Sequence, residues 1–219
     1  MKLFPTLVVD DFLDDPDYVL CLATNAEYND PGYTNYPGVA SKNKVYELDQ
    51  ELFDTILQKI FGYYWDLNNP VNFNVEMDFQ KIESSGQGII HLDTTYGALG
   101  AGVIYLNQNA EKDTGTSFYK LLDPTYKIEQ QFLDPIARYH AGEHVDGIDK
   151  ICEKHYNMFE ETMRVQNKYN RMILYSPELW HGPTTYGDEI RYILRFFVHH
   201  LTSVDQSYPL ARKPTFRFL

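Results

Sequence analysis

His91-Leu92-Asp93 sets an imidazole and a carboxylate two residues apart, and in an extended strand residues two apart project from the same face. A second imidazole stands far along the chain at His181, within Trp180-His181-Gly182-Pro183. Two histidine nitrogens and one carboxylate oxygen suit Fe(II) better than thiolates would, and leave coordination positions open for a chelating co-substrate and dioxygen. Alone, His-x-Asp is a common tripeptide, usually explained by a structural hydrogen bond. Arg191 changes its weight: ten residues beyond His181, it opens the otherwise apolar run Arg191-Tyr192-Ile193-Leu194-Arg195-Phe196-Phe197-Val198. A guanidinium buried there is costly without a partner, and a bound dicarboxylate would match its planar fork bidentately.

Other polar positions read less sharply. Arg195 shares a strand face with Arg191, and three roles stay open for it: holding the co-substrate, binding an acidic substrate, or closing a salt bridge at a barrel mouth. Lys81 reads as solvated, since lysine is seldom fully buried. His140-Ala141-Gly142-Glu143-His144 carries a glycine that weakens a helix and no glutamate directly after its first histidine, so surface residues are expected. His199 and His200 point to opposite faces of a strand end, and His155 reads as packing or solvated. Tyr96 and Trp180 fit either pocket walls or core.

The elements that must position these groups follow from periodicity. Thr6 to Val9 reads as a strand, and Asp14-Asp15-Pro16 supplies a cap and first-turn proline for a helix through about Ala26. Residues 29–46 form a loop rich in Tyr, Asn, Pro and Gly; a second helix runs from Asp49 to about Tyr64. Between Asn72 and Glu83, apolar Phe73, Val75, Met77 and Phe79 alternate with Asn74, Glu76, Asp78 and Gln80, the signature of a strand with one buried face. A turn at 84–88 leads to extended structure over Ile89 to Asp93, and further strands are expected at Ala101 to Leu106, Thr116 to Leu121, Arg171 to Tyr175 and Arg191 to His199. Ile151, Cys152, His155, Phe159 and Met163, spaced by three and four, predict an amphipathic helix inserted over 149–166. Many short strands with Gly-rich turns favour an antiparallel sandwich or barrel with jelly-roll closure.

Composition narrows the function classes. A chain of 219 residues with 43% hydrophobic and 15% aromatic content suits one catalytic domain. Its parts are expected to be supporting strand and helices over 1–70, a β core over 71–200 and a tail over 201–219. The net charge of -12 excludes docking on a phosphate backbone, so no nucleic-acid partner is expected. Cys21 and Cys152 are too few for a disulfide framework or a thiolate cage, which makes a reducing cytoplasm the expected compartment. No apolar run approaches the roughly 20 residues that span a bilayer, nor does the N-terminus carry a signal peptide, so a soluble, unprocessed protein with no membrane partner is expected.

From about Phe79 to Val198 the chain resembles the prolyl-4-hydroxylase-like branch of the Fe(II) and 2-oxoglutarate-dependent oxygenases. Beyond the His91/Asp93, His181 and Arg191 pattern, Ile104-Tyr105-Leu106-Asn107 resembles that family's Tyr-Leu-Asn strand. Thr114-Gly115-Thr116-Ser117-Phe118 resembles the Gly-Gly-x-Thr-x-Phe turn that follows, with Thr114 in place of one glycine. The resemblance implies a mainly β, double-stranded β-helix (jelly-roll, cupin-like) core with flanking helices. It implies iron on His91, Asp93 and His181, and 2-oxoglutarate gripped by Arg191 and Tyr105. It further implies hydroxylation of an unactivated C–H bond of a small molecule, amino acid or peptidyl side chain, using O2 and releasing succinate and CO2, with ascorbate as a further candidate cofactor. A metal- or metabolite-binding β-helix domain without turnover is the alternative, and a hydrolase or isomerase on a cupin-like barrel a weaker one. Substrate identity and oligomeric state are not written in the sequence; the 29–46 loop and the 149–166 segment are the expected walls of substrate choice.

Overall fold

The computed structural model of the chain describes residues 6–32, 36–63, 71–83, 88–94, 97–127, 130–183 and 185–203. In chain order its elements are β1 (Leu7–Val9), α1 (Pro16–Asn25), β2 (Val39–Ala40), α2 (Val45–Leu48), α3 (Gln50–Gly62), β3 (Val71–Ile82), β4 (Gly100–Tyr105), β5 (Thr116–Leu121), α4 (Gln130–His140), α5 (Ile148–Tyr156), β6 (Phe159–Val165), β7 (Met172–Tyr175), β8 (Trp180–Pro183) and β9 (Arg191–Ser203). Acidic caps start the N-terminal helices: the Asp15 carboxylate accepts from the Tyr18 N–H at 2.9 Å with Pro16 at the first helical position, and Asp49 accepts from the Leu52 N–H at 2.9 Å.

The strands form two antiparallel sheets, a larger one ordered β1-β7-β4-β9-β3-β2 and a smaller one ordered β6-β5-β8. His91 joins the smaller sheet by a bridge to His181. With that segment counted as a strand, the core strands visit the larger and smaller sheets in the sequence larger, smaller, larger, smaller, smaller, larger, smaller, larger. This is the winding of a double-stranded β-helix, the jelly-roll solution that protects sheet edges.

Two layers of apolar side chains hold it. On the outer face of the larger sheet, Val75, Met77 and Phe79 of β3 and Leu194, Phe196 and Val198 of β9 bury against Val19 and Ala23 of α1 and Phe53, Ile56 and Ile60 of α3. Between the sheets lie Ala101, Tyr105, Phe118, Ile173, Tyr175 and Ile193. Period-two alternation therefore sends β9's even positions to the helices and its odd positions inward. The polar face of β3 turns inward as well, so Asp78 and Gln80 are buried rather than solvated.

Two expectations need correction, and one element was not foreseen. The helix expected over 149–166 stops at Tyr156, and Phe159–Val165 is strand β6, paired with β5 from Leu121↔Phe159 to Thr116↔Val165. Phe159 and Met163 continue the helical spacing by coincidence; Asn157 caps α5, and ladder pairing with β5 wins over local periodicity. Ile89 to Asp93 is a single bridge rather than a strand. Helix α4 was not expected, because Pro135 inside it removes a backbone donor and masks the pattern. The 84–87 turn, Tyr96 and the tail from 204 onward lie outside the described residues.

Candidate metal centre

The backbone brings the two histidines together. His91 N–H donates to the His181 carbonyl at 2.8 Å, and His181 N–H donates to the His91 carbonyl at 3.0 Å. Gly182 makes this approach possible: a Cβ there would stand 2.7 Å from the Ile89 carbonyl oxygen. Asp93 is anchored where its N–H donates to the Pro177 carbonyl at 3.0 Å. The three side chains converge, with Asp93 Oδ1 3.5 Å from His91 Nε2 and Asp93 Oδ2 3.2 Å from His181 Nε2. Metal–ligand bonds of about 2.1 Å at right angles put neighbouring donors about 3 Å apart, so the spacing fits one ion. Among the described residues this is the only His/Cys/Asp/Glu group of three so placed.

Each imidazole is oriented by its own chain. His91 Nδ1–H donates to the Ile89 carbonyl at 3.1 Å, and His181 Nδ1–H to the Leu179 carbonyl at 2.8 Å. Both bonds fix the proton on Nδ1 and aim the Nε2 lone pair at Asp93, the outer-sphere support usual for metal-binding histidines. Burial alone would push the Asp93 carboxyl up, but the two imidazoles hold it well below the usual carboxylate range. For His91, burial works to lower its pKa, and the Asp93 carboxylate reverses this to leave it raised. Tyr175 packs its ring 4.6 Å from that of His181, and burial, with the Asp93 charge beside it, keeps its hydroxyl protonated.

Behind the bridge stands His155 of α5, 1% exposed. Its Nε2 meets both backbone groups of Ile90, the carbonyl at 2.8 Å and the amide nitrogen at 3.2 Å, while Nδ1 bonds the Tyr126 hydroxyl at 3.0 Å. With its proton on Nε2, His155 donates to the Ile90 carbonyl and accepts from the Tyr126 hydroxyl at Nδ1, so a side chain supplies a bond that a neighbouring strand would otherwise give to the His91 segment. The reading as packing or solvated missed this role; a lone histidine on an apolar helix face carries no sequence signal for it.

The site opens into a cavity of about 640 Å³. Arg191 lines it at 6% exposure, with its guanidinium 5.5 Å from the Tyr105 ring centroid and 5.7 Å from that of Tyr186. Its Nε is buried with no hydrogen-bond partner, and Arg191 has no ion pair among the described residues. A buried guanidinium in that state is costly unless an anion pairs with it, and a carboxylate bound in the cavity would supply that partner. Tyr105 is fully buried beside it, its hydroxyl 2.8 Å from Thr116 Oγ1, and burial keeps that phenol protonated despite the Arg191 charge. Arg195 also lines the cavity but is engaged: its Nε donates to Asp78 Oδ1 at 2.6 Å. Lys81 pairs with Glu83. His199 and Trp180 line the cavity, His200 is exposed, and His144 pairs with Asp146 at the surface. From the expected specificity segments, Tyr36 of the 29–46 loop reaches the cavity; beside it stand Tyr126 and Leu133, which precede the 149–166 segment. Tyr186, Tyr175 and Asp78 were not singled out by sequence, because tyrosines abound in this chain and Asp78 sat on a face read as polar.

A prolyl hydroxylase from Trichoplax adhaerens, solved with a hypoxia-inducible factor peptide fragment, matches 88% of this chain and 82% of its own at 12% identity and a TM-score of 0.53. A Pseudomonas putida prolyl-4-hydroxylase matches at 16% identity and TM-score 0.47, covering 88% of this chain and 91% of its own. HygX from Streptomyces hygroscopicus, solved with nickel, 2-oxoglutarate and hygromycin B, matches at 12% identity and TM-score 0.49, with coverages of 88% and 82%. The first of these likenesses carries the fold: the chain shares the double-stranded β-helix of the 2-oxoglutarate oxygenases. Among curated proteins none matches. No described helix is long and apolar enough to cross a membrane. The sequence matches the model of a family of unknown function, DUF6445, over residues 3–189, and the chain belongs to that family.

Proposed function

We propose that this chain is a non-haem Fe(II) and 2-oxoglutarate-dependent dioxygenase that hydroxylates an unactivated C–H bond. The reading rests on one conjunction above all: the buried Arg191, whose Nε has no hydrogen-bond partner and which has no ion pair among the described residues, lines the same cavity as the His91, Asp93 and His181 donors. A structural His-Asp-His cluster alone would leave Arg191 unexplained.

Fe(II) with 2-oxoglutarate supplies oxidative decarboxylation coupled to insertion of one oxygen atom of O2 into a C–H bond, releasing succinate and CO2. The protein's part is positional. Arg191 would grip the distal carboxylate of the co-substrate with its planar fork, and the fully buried Tyr105, its hydroxyl bonded to Thr116 of the cavity wall, would support that end of the site from behind. The backbone carbonyls of Ile89 and Leu179 hold both imidazoles in the ligating tautomer. Tyr175 and Phe118, each packed against His181, keep water from that side of the site. Release of succinate from 2-oxoglutarate by Fe(II)-loaded protein, stimulated by members of a panel of metabolites and peptides, tests the proposal. Metal-loaded, folded protein that releases none with any panel member would refute it.

A further inference from the structure

The cavity holds a second guanidinium. Arg195 stands four residues beyond Arg191 on the inward face of β9, opposite Asp78 of β3. Its Nε and Nη2 approach the Asp78 carboxylate at 2.6 and 3.4 Å, it donates to Tyr36, and it lies 5.3 Å from the Tyr36 ring centroid. Lys44 Nζ reaches the same carboxylate at 2.7 Å, so Asp78 serves two cations. A guanidinium has five N–H groups; two go to Asp78 and one to Tyr36, which leaves two without a partner among the described residues. The side chain is 18% exposed, and its open side faces the cavity that it lines.

The co-substrate does not account for those donors. Four strand residues set the Cα atoms of Arg191 and Arg195 about 13 Å apart, longer than a five-carbon dicarboxylate, and side chains standing off the sheet preserve that separation. The same wall carries further polar groups: Gln80, whose side-chain N–H donates to the Pro37 carbonyl at 3.0 Å, and, on the far side of Asp78 along β3, Glu76, which lies 3.9 Å from Lys44 Nζ. The cavity volume is in the range of small-molecule sites.

We infer that Arg195, held rigid by Asp78 and Tyr36, binds the carboxylate of a small-molecule primary substrate. That substrate is a free amino acid or related carboxylic acid, with Gln80 and Glu76 facing its donor groups. This inference rests on the proposed co-substrate site.

The test uses full-length protein loaded with Mn(II) and 2-oxoglutarate, probed by saturation-transfer NMR with pooled free amino acids and small carboxylic acids. The corresponding primary amides serve as uncharged controls. At least one acid is expected to bind, its amide to bind at least about tenfold more weakly, and Arg195→Gln to lose the acid by a similar factor. Calorimetry on the same variant is expected to return wild-type affinity for 2-oxoglutarate, whereas Arg191→Gln loses it. The double variant Asp78→Asn/Arg195→Gln removes the pair as a unit and serves if the single variant fails to fold. The inference falls if no acid binds the wild type, if amides bind as well as acids, or if acid binding survives in Arg195→Gln and the double variant. Weakened 2-oxoglutarate binding in Arg195→Gln would assign the residue to the co-substrate instead. Failure of the wild type to bind 2-oxoglutarate would refute the oxygenase reading itself.

Discussion

At His91 and His181 the carbonyl two residues earlier in the chain decides which nitrogen carries the proton, and this local device is what makes a histidine pair ready for a metal. Removing a donor should therefore act on metal binding before anything else: His91→Ala or Asp93→Ala is expected to lower Mn(II) affinity by at least about tenfold by calorimetry. Unchanged affinity would move the site elsewhere. Arg191→Ala should leave metal uptake intact and weaken 2-oxoglutarate by roughly 10- to 100-fold, as the loss of charge-assisted hydrogen bonds worth about 1.5–3 kcal/mol implies. The three donors and Arg191 were picked out by residue type, spacing and the cost of an unpaired guanidinium, although the segment carrying His91 and Asp93 is a single bridge and not the strand that the spacing suggested. The status of Arg195 was not legible, because its partner Asp78 lies 117 positions away and only the β3–β9 register brings them together.

The strand that should carry His91 is reduced to one bridge, and two neighbours make up for it. Gly182 lets the segment approach β8, so Gly182→Ala is expected to displace His91 and weaken Mn(II) binding while the fold survives; wild-type affinity in that variant would deny the glycine its role. His155 holds Ile90 from α5, and burial pushes its imidazole down to about 4 from the ordinary 6.5. As pH falls below 6.5 the unfolded chain takes up a proton that the folded His155 refuses, so stability declines until about pH 4 and no further on this account. Urea midpoints across that window should fall less steeply for His155→Gln, which keeps an N–H for the Ile90 carbonyl; equal slopes would contradict it. Most strands were readable from alternation. The 149–166 segment was not, because Phe159 and Met163 satisfy both periods and only pairing with β5 decides between them.

Across the whole molecule, a net charge of -12 turns polyanions away, while the cavity presents Arg191 and Arg195 on its wall for a small anion that reaches it. Because the donors converge only in the folded state, a bound ion must stabilise the fold. Mn(II) at a hundredfold excess over its Kd contributes about 2.7 kcal/mol, which for a chain of this length raises the melting temperature by roughly 5–10 °C. Asp93→Ala should abolish the shift, and a full shift in that variant would place the ion elsewhere. The jelly-roll class was legible from many short strands, and its winding emerged only from the order of pairing. The most direct test of the oxygenase reading is the fate of carboxyl-labelled 2-oxoglutarate with Fe(II)-loaded protein in air. With a C–H substrate from the stimulating panel present to accept the second oxygen atom, labelled CO2 and succinate should appear in equal amounts, dependent on Fe(II) and O2, and should fall to background in Asp93→Ala. Folded protein that binds Fe(II) and 2-oxoglutarate yet releases no labelled CO2 with any panel member, or equal release from Asp93→Ala, would contradict it.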